Sequence, residues 1–251
     1  MRLNNCLIGY NGFVGSNLKN SELLKFDDLY NSSNIIDISN KEYGLVVCAA
    51  PSATKWKINK DPMTDLYNIV NLSNILKTVK VERFVLLSTI DIYDKPDYPW
   101  LEGHDVRFNS PEYGQNRCLF EKLTLHIFKE KAKIVRLPAL YGNGLKKNII
   151  FDLMNDNMIE NISLETQFQW YNVSDLEKDI NKVIQSEEKI YNLFPEPVLT
   201  KEIVKKYFAS KIERCRGTYN KVYRVKTKHS NTGYIYNKDT VLNKMGSFLE
   251  R

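Results

Sequence analysis

Three glycines spaced Gly9-x-x-Gly12-x-x-Gly15 directly follow the first apolar run of the chain and lead into a helical stretch. One glycine permits a tight turn, another lets backbone approach a phosphate, and the third lets helix pack on strand. These are the requirements of a dinucleotide pyrophosphate site. The opening turn of the helix adds free N–H groups and the positive end of its dipole. On this reading Gly9, Gly12, Phe13, Val14 and Gly15 hold the cofactor, although the spacing differs from the commoner GxGxxG. A carboxylate for the adenine ribose is expected about 20 residues further on. The stretch Leu29-Tyr30-Asn31-Ser32-Ser33-Asn34 offers neither an acid there nor an Arg for a 2′-phosphate, and Asp27 and Asp28 come too early. Asn31 and Ser32 take that position. The choice between NAD and NADP stays open, and the lack of a repelling carboxylate leans toward NADP.

Three further segments carry reactive or permissive chemistry. The run Val46-Val47-Cys48-Ala49-Ala50-Pro51 ends in small residues, and a cofactor can lie on the bare backbone of Ala49, Ala50 and Pro51. The run from Phe84 to Tyr93 passes through Leu87, Ser88 and Thr89, a strand ending in two hydroxyls. Tyr113-Gly114-Gln115-Asn116-Arg117 lies in a helical stretch and is followed by Arg136-Leu137-Pro138 after the next apolar run.

The elements that position these residues follow from apolar patterning. Leu3–Ile8, Leu45–Ala50, Phe84–Leu87 and Ile134–Leu137 read as buried parallel strands. Helices are expected over Phe13–Leu24, Asp65–Val79 and Tyr113–Lys131. The second has a stripe at Leu66, Ile69, Val70, Leu72, Ile75, Leu76 and Val79, and the third has Ser110 as cap and Pro111 in its first turn. Strands alternating with helices imply an α/β fold, a Rossmann-type doubly wound parallel sheet with right-handed crossovers and a smaller C-terminal substrate lobe. Past Gly142 a helix is expected over Asn148–Asn155, a strand over Phe168–Val173 and a helix over Asp175–Ser186. The expected division is 1–145 as the dinucleotide-binding domain, which also takes parts of 165–186. Residues 187–251 with 146–164 form the lobe, expected at the carboxyl ends of the strands, where open α/β sheets bind ligands.

In order and spacing, residues 3–185 resemble the extended short-chain dehydrogenase/reductases, the NAD-dependent epimerase/dehydratase family that mostly acts on nucleotide sugars. The resemblance implies that Thr89 is the catalytic hydroxyl and Tyr113 the catalytic tyrosine. It puts Arg117 where the Tyr-x-x-x-Lys motif has lysine, the residue that holds the nicotinamide ribose and helps ionise the tyrosine. Residues i and i+4 share a helix face. A cation there lowers a phenol's pKa by about 1–3 pH units, but Arg is larger and fork-shaped, so the exchange is not conservative. Either the chain is an active NAD(P)-dependent reductase or epimerase of a nucleotide-linked sugar, or it is a non-catalytic NAD(P)-binding regulatory or scaffold protein. Tyr113 would take a proton from a sugar hydroxyl or return one to a carbonyl. The family's dehydratases carry Thr-[Asp/Ser]-Glu where this chain has Thr89-Ile90-Asp91. Ile90 cannot donate a proton and Asp91 is one methylene short, so dehydration is the lesser option and Asp91 is read as substrate-binding. The resemblance also places Asn68 and Leu137-Pro138 near the cofactor, Asn148 near the nucleotide diphosphate, and capsule, lipopolysaccharide or glycan precursor synthesis as the setting. A homodimer is among the assemblies it allows.

Composition bounds what else the chain could be. With 251 residues, 43% of them hydrophobic, it can bury a substantial core, so disorder and small disulfide scaffolds are excluded. No apolar run reaches the length a membrane helix needs, and the N-terminal stretch lacks a cleavage site, so a cytoplasmic protein without membrane insertion is expected. The four cysteines form no CxxC pair, and the apolar runs around Cys6 and Cys48 make those two small core hydrophobes. His104, His126 and His229 have no metal-ligand spacing, and no metal is expected. Ser88 lacks a hydrolase elbow. Residues 201–228 carry ten Lys/Arg against two Asp/Glu, whereas residues 1–200 carry twenty-three against twenty-six. Tyr207, Phe208, Tyr219, Tyr223, Tyr234 and Tyr236 interleave with these cations. Such a pattern suits a nucleotide base and diphosphate, and also single-stranded nucleic acid. Its place after the substrate lobe favours nucleotide-sugar capture and argues against a nucleic-acid partner.

Overall fold

The structure is a computed structural model that describes residues 2–104, 106 and 110–250. In chain order its strands are β1 (Asn5–Ile8), β2 (Asp28–Tyr30), β3 (Glu42–Cys48), β4 (Lys80–Thr89), β5 (Ala132–Leu137), β6 (Ala139–Tyr141), β7 (Gln167–Phe168), β8 (Trp170–Asn172), β9 (Ile190–Asn192) and β10 (Val198–Leu199). The helices are α1 (Phe13–Leu18), α2 (Lys55–Lys60), α3 (Pro62–Leu76), α4 (Glu112–Phe128), α5 (Ile149–Asn155), α6 (Leu176–Gln185), α7 (Thr200–Tyr207) and α8 (Lys238–Leu249).

Six strands form the main sheet in the order β2-β1-β3-β4-β5-β9. β1 runs parallel to β2 and β3, and β3 runs parallel to β4. The chain leaves β1 toward one edge and builds outward from β3 toward the other, so the order reverses between β1 and β3. That reversal opens a crevice at the carboxyl ends of the two strands. This is the Rossmann-type α/β fold. Strand composition explains it: all six residues of β5 and the last four of β3 are buried, as expected where both faces of a parallel sheet are covered. Under the sheet Ile8, Val46, Phe84, Leu86, Phe120 and Ile134 join one core, and Phe84 stacks on Phe128 with centroids 4.1 Å apart. All four cysteines are buried and form no disulfide, and burial pushes the Cys48 thiol up to about 12.

Several elements differ from the sequence expectation. The first helix stops at Leu18 rather than Leu24, because Lys19-Asn20-Ser21 turns the chain and Leu24 is buried separately. The second spans Pro62–Leu76, capped by the Asp61 carboxylate, which accepts from Thr64 N–H at 3.2 Å. Its buried face is Asp65, Ile69, Ser73 and Leu76, whereas Val70, expected on the apolar stripe, is exposed. Ser110 does not cap α4: Pro111 occupies that position, and the buried Ser110 hydroxyl makes no hydrogen bond among the described residues. The expected strand over Phe168–Val173 is two short strands in different sheets, divided at Gln169. Helix α2 and strand β9 were not anticipated.

The chain divides into two compact units, Met1–Asp94 with Asp105–Arg136 and Ser174–Tyr191, and Lys95–His104 with Leu137–Val173 and Asn192–Arg251. This division groups 95–104 and 137–145 with the later residues, where the sequence reading drew its line at 145. The second unit has its own core of Tyr141, Ile150, Trp170, Val198, Ile203 and Met245, with β6 parallel to β8 and β10 antiparallel to β7. Within it the buried Glu102 carboxylate accepts from the N–H groups of Asn192 and Lys228 and from the Thr227 hydroxyl. The interleaved aromatics take some of its own lysines: Lys221 lies 4.7 Å from the Tyr223 ring centroid and Lys244 lies 5.1 Å from that of Tyr236.

Candidate active site

The glycine loop sits at the crevice. Gly9 adopts φ +84°, and a Cβ there would lie 3.0 Å from the Ala49 carbonyl, so the β1 turn and the end of β3 touch backbone to backbone. A Cβ on Gly15 would collide with the Gly9 carbonyl oxygen. The fold itself therefore requires glycine at both positions. Gly12 is different. It is exposed, its φ is −75°, and a Cβ would meet only the Gly9 oxygen at an ordinary 3.4 Å. Nothing in the protein demands glycine there. A ligand lying over the turn would, so the loop fits a dinucleotide pyrophosphate. Phe13 and Val14 open α1 half-buried. Asp28 begins β2, as the sequence suggested, and no carboxylate follows it at the strand's end. Asn31 donates to the Tyr10 hydroxyl at 3.1 Å and its Oδ1 accepts from Ser33, while Ser32 is exposed. Ala49, Ala50 and Pro51 follow β3 directly.

Thr89 and Tyr113 come together at the end of β4. Thr89 is the last residue of β4, and its hydroxyl accepts from Asp91 N–H at 3.2 Å. The Tyr113 phenol is buried, and the Arg117 guanidinium and the Thr89 hydroxyl both act to lower its pKa against the rise that burial causes. What permits this approach is Gly114. A Cβ there would collide with the Asp91 carbonyl oxygen and crowd the Ser110 hydroxyl, so α4 can press against the 3-10 turn at Ile90–Ile92 only with glycine beside the tyrosine. The Tyr113 N–H donates to Asn59 Oδ1 on α2 at 3.0 Å.

Arg117 is not free to act as lysine would. Its fork grips the Asp65 carboxylate through two bonds, 3.1 and 2.9 Å, and a third bond reaches the Ser52 carbonyl at 2.8 Å. Asn116 adds a bond to the same carboxylate at 2.9 Å. Both partners are buried. The guanidinium carbon lies 4.7 Å from the Tyr113 ring centroid. Expectation and structure part here. Burial pushes the phenol above its ordinary value, Arg117 pulls it down, and the Asp91 charge pushes it up again, so the net direction is upward. Arg117 alone does not make Tyr113 acidic.

The remaining expected residues divide. Asp91 is near the phenol and accepts from Lys55 Nζ at 2.6 Å. Ser88 turns its hydroxyl to the buried Glu121 carboxylate, which also holds Arg136 through its fork at 2.7–3.2 Å. Its side chain is structural rather than ligand-facing. Asn68 lies on the exposed face of α3 and does not join the group. Leu87 is half-buried on β4, Leu137 is buried at the end of β5, and Pro138, also buried, follows it. Asn148, in the second unit, caps α5 by accepting from Ile150 and Phe151 N–H, and its amide donates to the Leu140 carbonyl. These bonds give it a local structural task. No group of three or more candidate metal ligands occurs among the described residues, and no described helix is long and apolar enough to cross a membrane. Sequence reasoning missed Asp65, Asn59 and Lys55. The only signal for Asp65 was an acid in phase with Ile69, Ser73 and Leu76 on a helix.

No protein-family model matches the sequence, and comparison with curated proteins finds no match. Among solved structures the fold has many counterparts. The dTDP-4-dehydrorhamnose reductase of Bacillus anthracis, solved with NADP, superposes with a TM-score of 0.70 at 17% identity, over 98% of each chain. The dTDP-glucose 4,6-dehydratase of the same organism, solved with NAD, gives 0.71 at 15% identity over 99% of this chain and 96% of that one. A UDP-N-acetylglucosamine 4-epimerase from Bacillus cereus gives 0.71 at 15% identity over 99% and 100%.

Proposed function

We propose that the chain is an NAD(P)-dependent oxidoreductase or epimerase of a nucleotide-linked sugar, with Tyr113 as acid/base and Thr89 as its hydroxyl partner. The observation that carries this reading is the Arg117 guanidinium 4.7 Å from the ring of the buried Tyr113, on a helix that Gly114 lets press against the turn after Thr89 at the end of β4, in the same unit as a glycine turn whose middle glycine no contact within the described protein requires. The likeness in fold to a reductase, a dehydratase and an epimerase of nucleotide sugars supports it. The residues suited to the dinucleotide are Gly9, Gly12, Gly15 and the backbone of Ala49–Pro51. When bound, the dinucleotide supplies or accepts a hydride. Tyr113 moves the matching proton at its hydroxyl, Thr89 holds the same oxygen, and Arg117 steadies the ring. NADP is favoured over NAD because no carboxylate stands at Asn31 or Ser32. The proposed setting is soluble and intracellular. A mass spectrum of the purified protein for retained dinucleotide and nucleotide sugar, followed by turnover assays, tests the reading. Gly12→Asp is expected to abolish dinucleotide binding by calorimetry with the fold intact. Unchanged affinity would remove the loop from the site.

A second reading has its own observation. With Arg117 gripped by Asp65, the chain resembles a cofactor-binding protein that has lost the ribose-holding cation. Retained binding of NADP without turnover of any nucleotide sugar, in the native chain and in Arg117→Lys, would select it.

A further inference from the structure

We infer that Asp65 is a positioning residue: by taking the fork of Arg117 it leaves Tyr113 as a proton donor, so the site is built to reduce a carbonyl rather than to oxidise a hydroxyl. This rests on the enzyme reading above and narrows it to a reductase.

Among the described residues, the charged groups brought to Tyr113 are paired. On its own helix Arg117 faces it, bound twice by Asp65 of α3. From the turn after β4 comes Asp91, bound by Lys55 of α2. Thr89 of β4 and Asn59 of α2 approach as neutral groups. Two cations thus meet two carboxylates. A phenolate would be a third anion in a buried place, and among the described residues neither cation beside it, Arg117 or Lys55, stands without a carboxylate on it. The bidentate geometry also fixes the plane of the guanidinium, which lies against the tyrosine ring instead of presenting a mobile point charge. The phenol's pKa is raised chiefly by burial and further by the Asp91 charge, and the pull of Arg117 does not overcome them.

The chemistry follows. As a hydride from a reduced nicotinamide dinucleotide forms the C–H bond, the carbonyl π bond breaks and its oxygen takes the proton of the Tyr113 hydroxyl. The phenolate left behind is held by Thr89 and Arg117 until solvent returns a proton. Oxidation of a hydroxyl needs that phenolate before the reaction begins, and the paired charges disfavour it. An epimerase that starts by oxidising its sugar is thereby disfavoured.

The test is titration of the Tyr113 ring in full-length, cofactor-free protein carrying 13C-labelled tyrosine, with the resonance assigned by its loss in Tyr113→Phe. In the native chain the phenol is expected to stay protonated past about pH 10, the value of free tyrosine. Asp65→Asn should lower the midpoint by about one pH unit or more, and Asp65→Glu should restore it. An unchanged midpoint in a folded Asp65→Asn overturns the proposal. Should Asp65→Asn fail to fold, the double variant Asp65→Leu/Arg117→Met removes both charges together, a replacement that buried pairs often tolerate. Its midpoint is expected to stay near the native one. A rise of about one pH unit or more would show that the Arg117 charge had reached the phenol uncompensated, and would also overturn it. Neither measurement needs substrate, so a chain that fails to turn over is told apart from a wrong assignment of Asp65. In an active enzyme, carbonyl reduction should hold through neutral pH and fall as pH rises through the phenol midpoint, because the acid form is the one consumed. A reduction rate that rises over that range would contradict the proposal.

Discussion

Helix α4 carries two buried arginine–carboxylate pairs of like geometry and unlike consequence. Arg136 of β5 is gripped by Glu121, and the Ser88 and Tyr93 hydroxyls complete the set. Arg117 is gripped by Asp65, donates also to the Ser52 carbonyl, and lies against the ring of Tyr113. The first pair joins helix to strand and is closed by two hydroxyls. The second pair stands beside a group able to lose a proton. The same kind of ion pair is thus a brace at one turn of the helix and, one turn earlier, the neighbour of a phenol, and what separates them is the third partner.

The largest effect that would sharpen this contrast is at the phenol. Tyr113→Phe should cost about two to four orders of magnitude in rate and leave calorimetric affinity for NADP almost unchanged, since one hydroxyl is lost. Equal damage to binding would mean that the phenol is a brace as well. Next come the pairs themselves. Glu121→Ala strands a buried guanidinium and should cost about 3–5 kcal/mol in chemical denaturation, without moving the Tyr113 titration. Lysine exchanges separate the pairs more finely. Arg136→Lys and Arg117→Lys each lose the fork and should lower stability by about 1–3 kcal/mol, but only Arg117→Lys should change the pH at which Tyr113 titrates. If both change it, the two pairs are one network. The smallest effect belongs to the exposed cations of the second unit. Charge reversal at Lys205, Lys206, Arg214 and Arg216 should leave the denaturation midpoint near native and weaken a nucleotide diphosphate ligand in a salt-dependent way, read by calorimetry at two ionic strengths. Loss of affinity for a single-stranded oligonucleotide instead would select the nucleic-acid reading of that segment.

The sequence was most legible where one residue's own chemistry decided the structure. The glycines at 9 and 15, the apolar runs of β3 and β5 and the tyrosine on α4 each state a local requirement. It was least legible where a pair decides. Asp65 is a helical acid until Arg117 arrives from α4, 52 positions later. Ser88 looked free because Glu121 and Arg136, which claim its hydroxyl, lie on other elements. Helix α2 escaped notice because only Ile58 of its six residues is buried, too little to show a period.

Strand β9 has a consequence for synthesis. It completes the main sheet beside β5, yet it is made only after residues 138–189 have left the ribosome. Until then β5, whose six residues all end buried, presents an open apolar edge, the kind of surface that recruits other chains. Helix α6, which joins this unit through the hydrogen bond from Ser21 to Glu177, also comes late. A chain halted near residue 150 therefore holds the glycine turn, the tyrosine helix and five of the six strands of the main sheet, but lacks β9 and α6. This unit is completed only in the last third of translation, the interval in which a chaperone has most to protect.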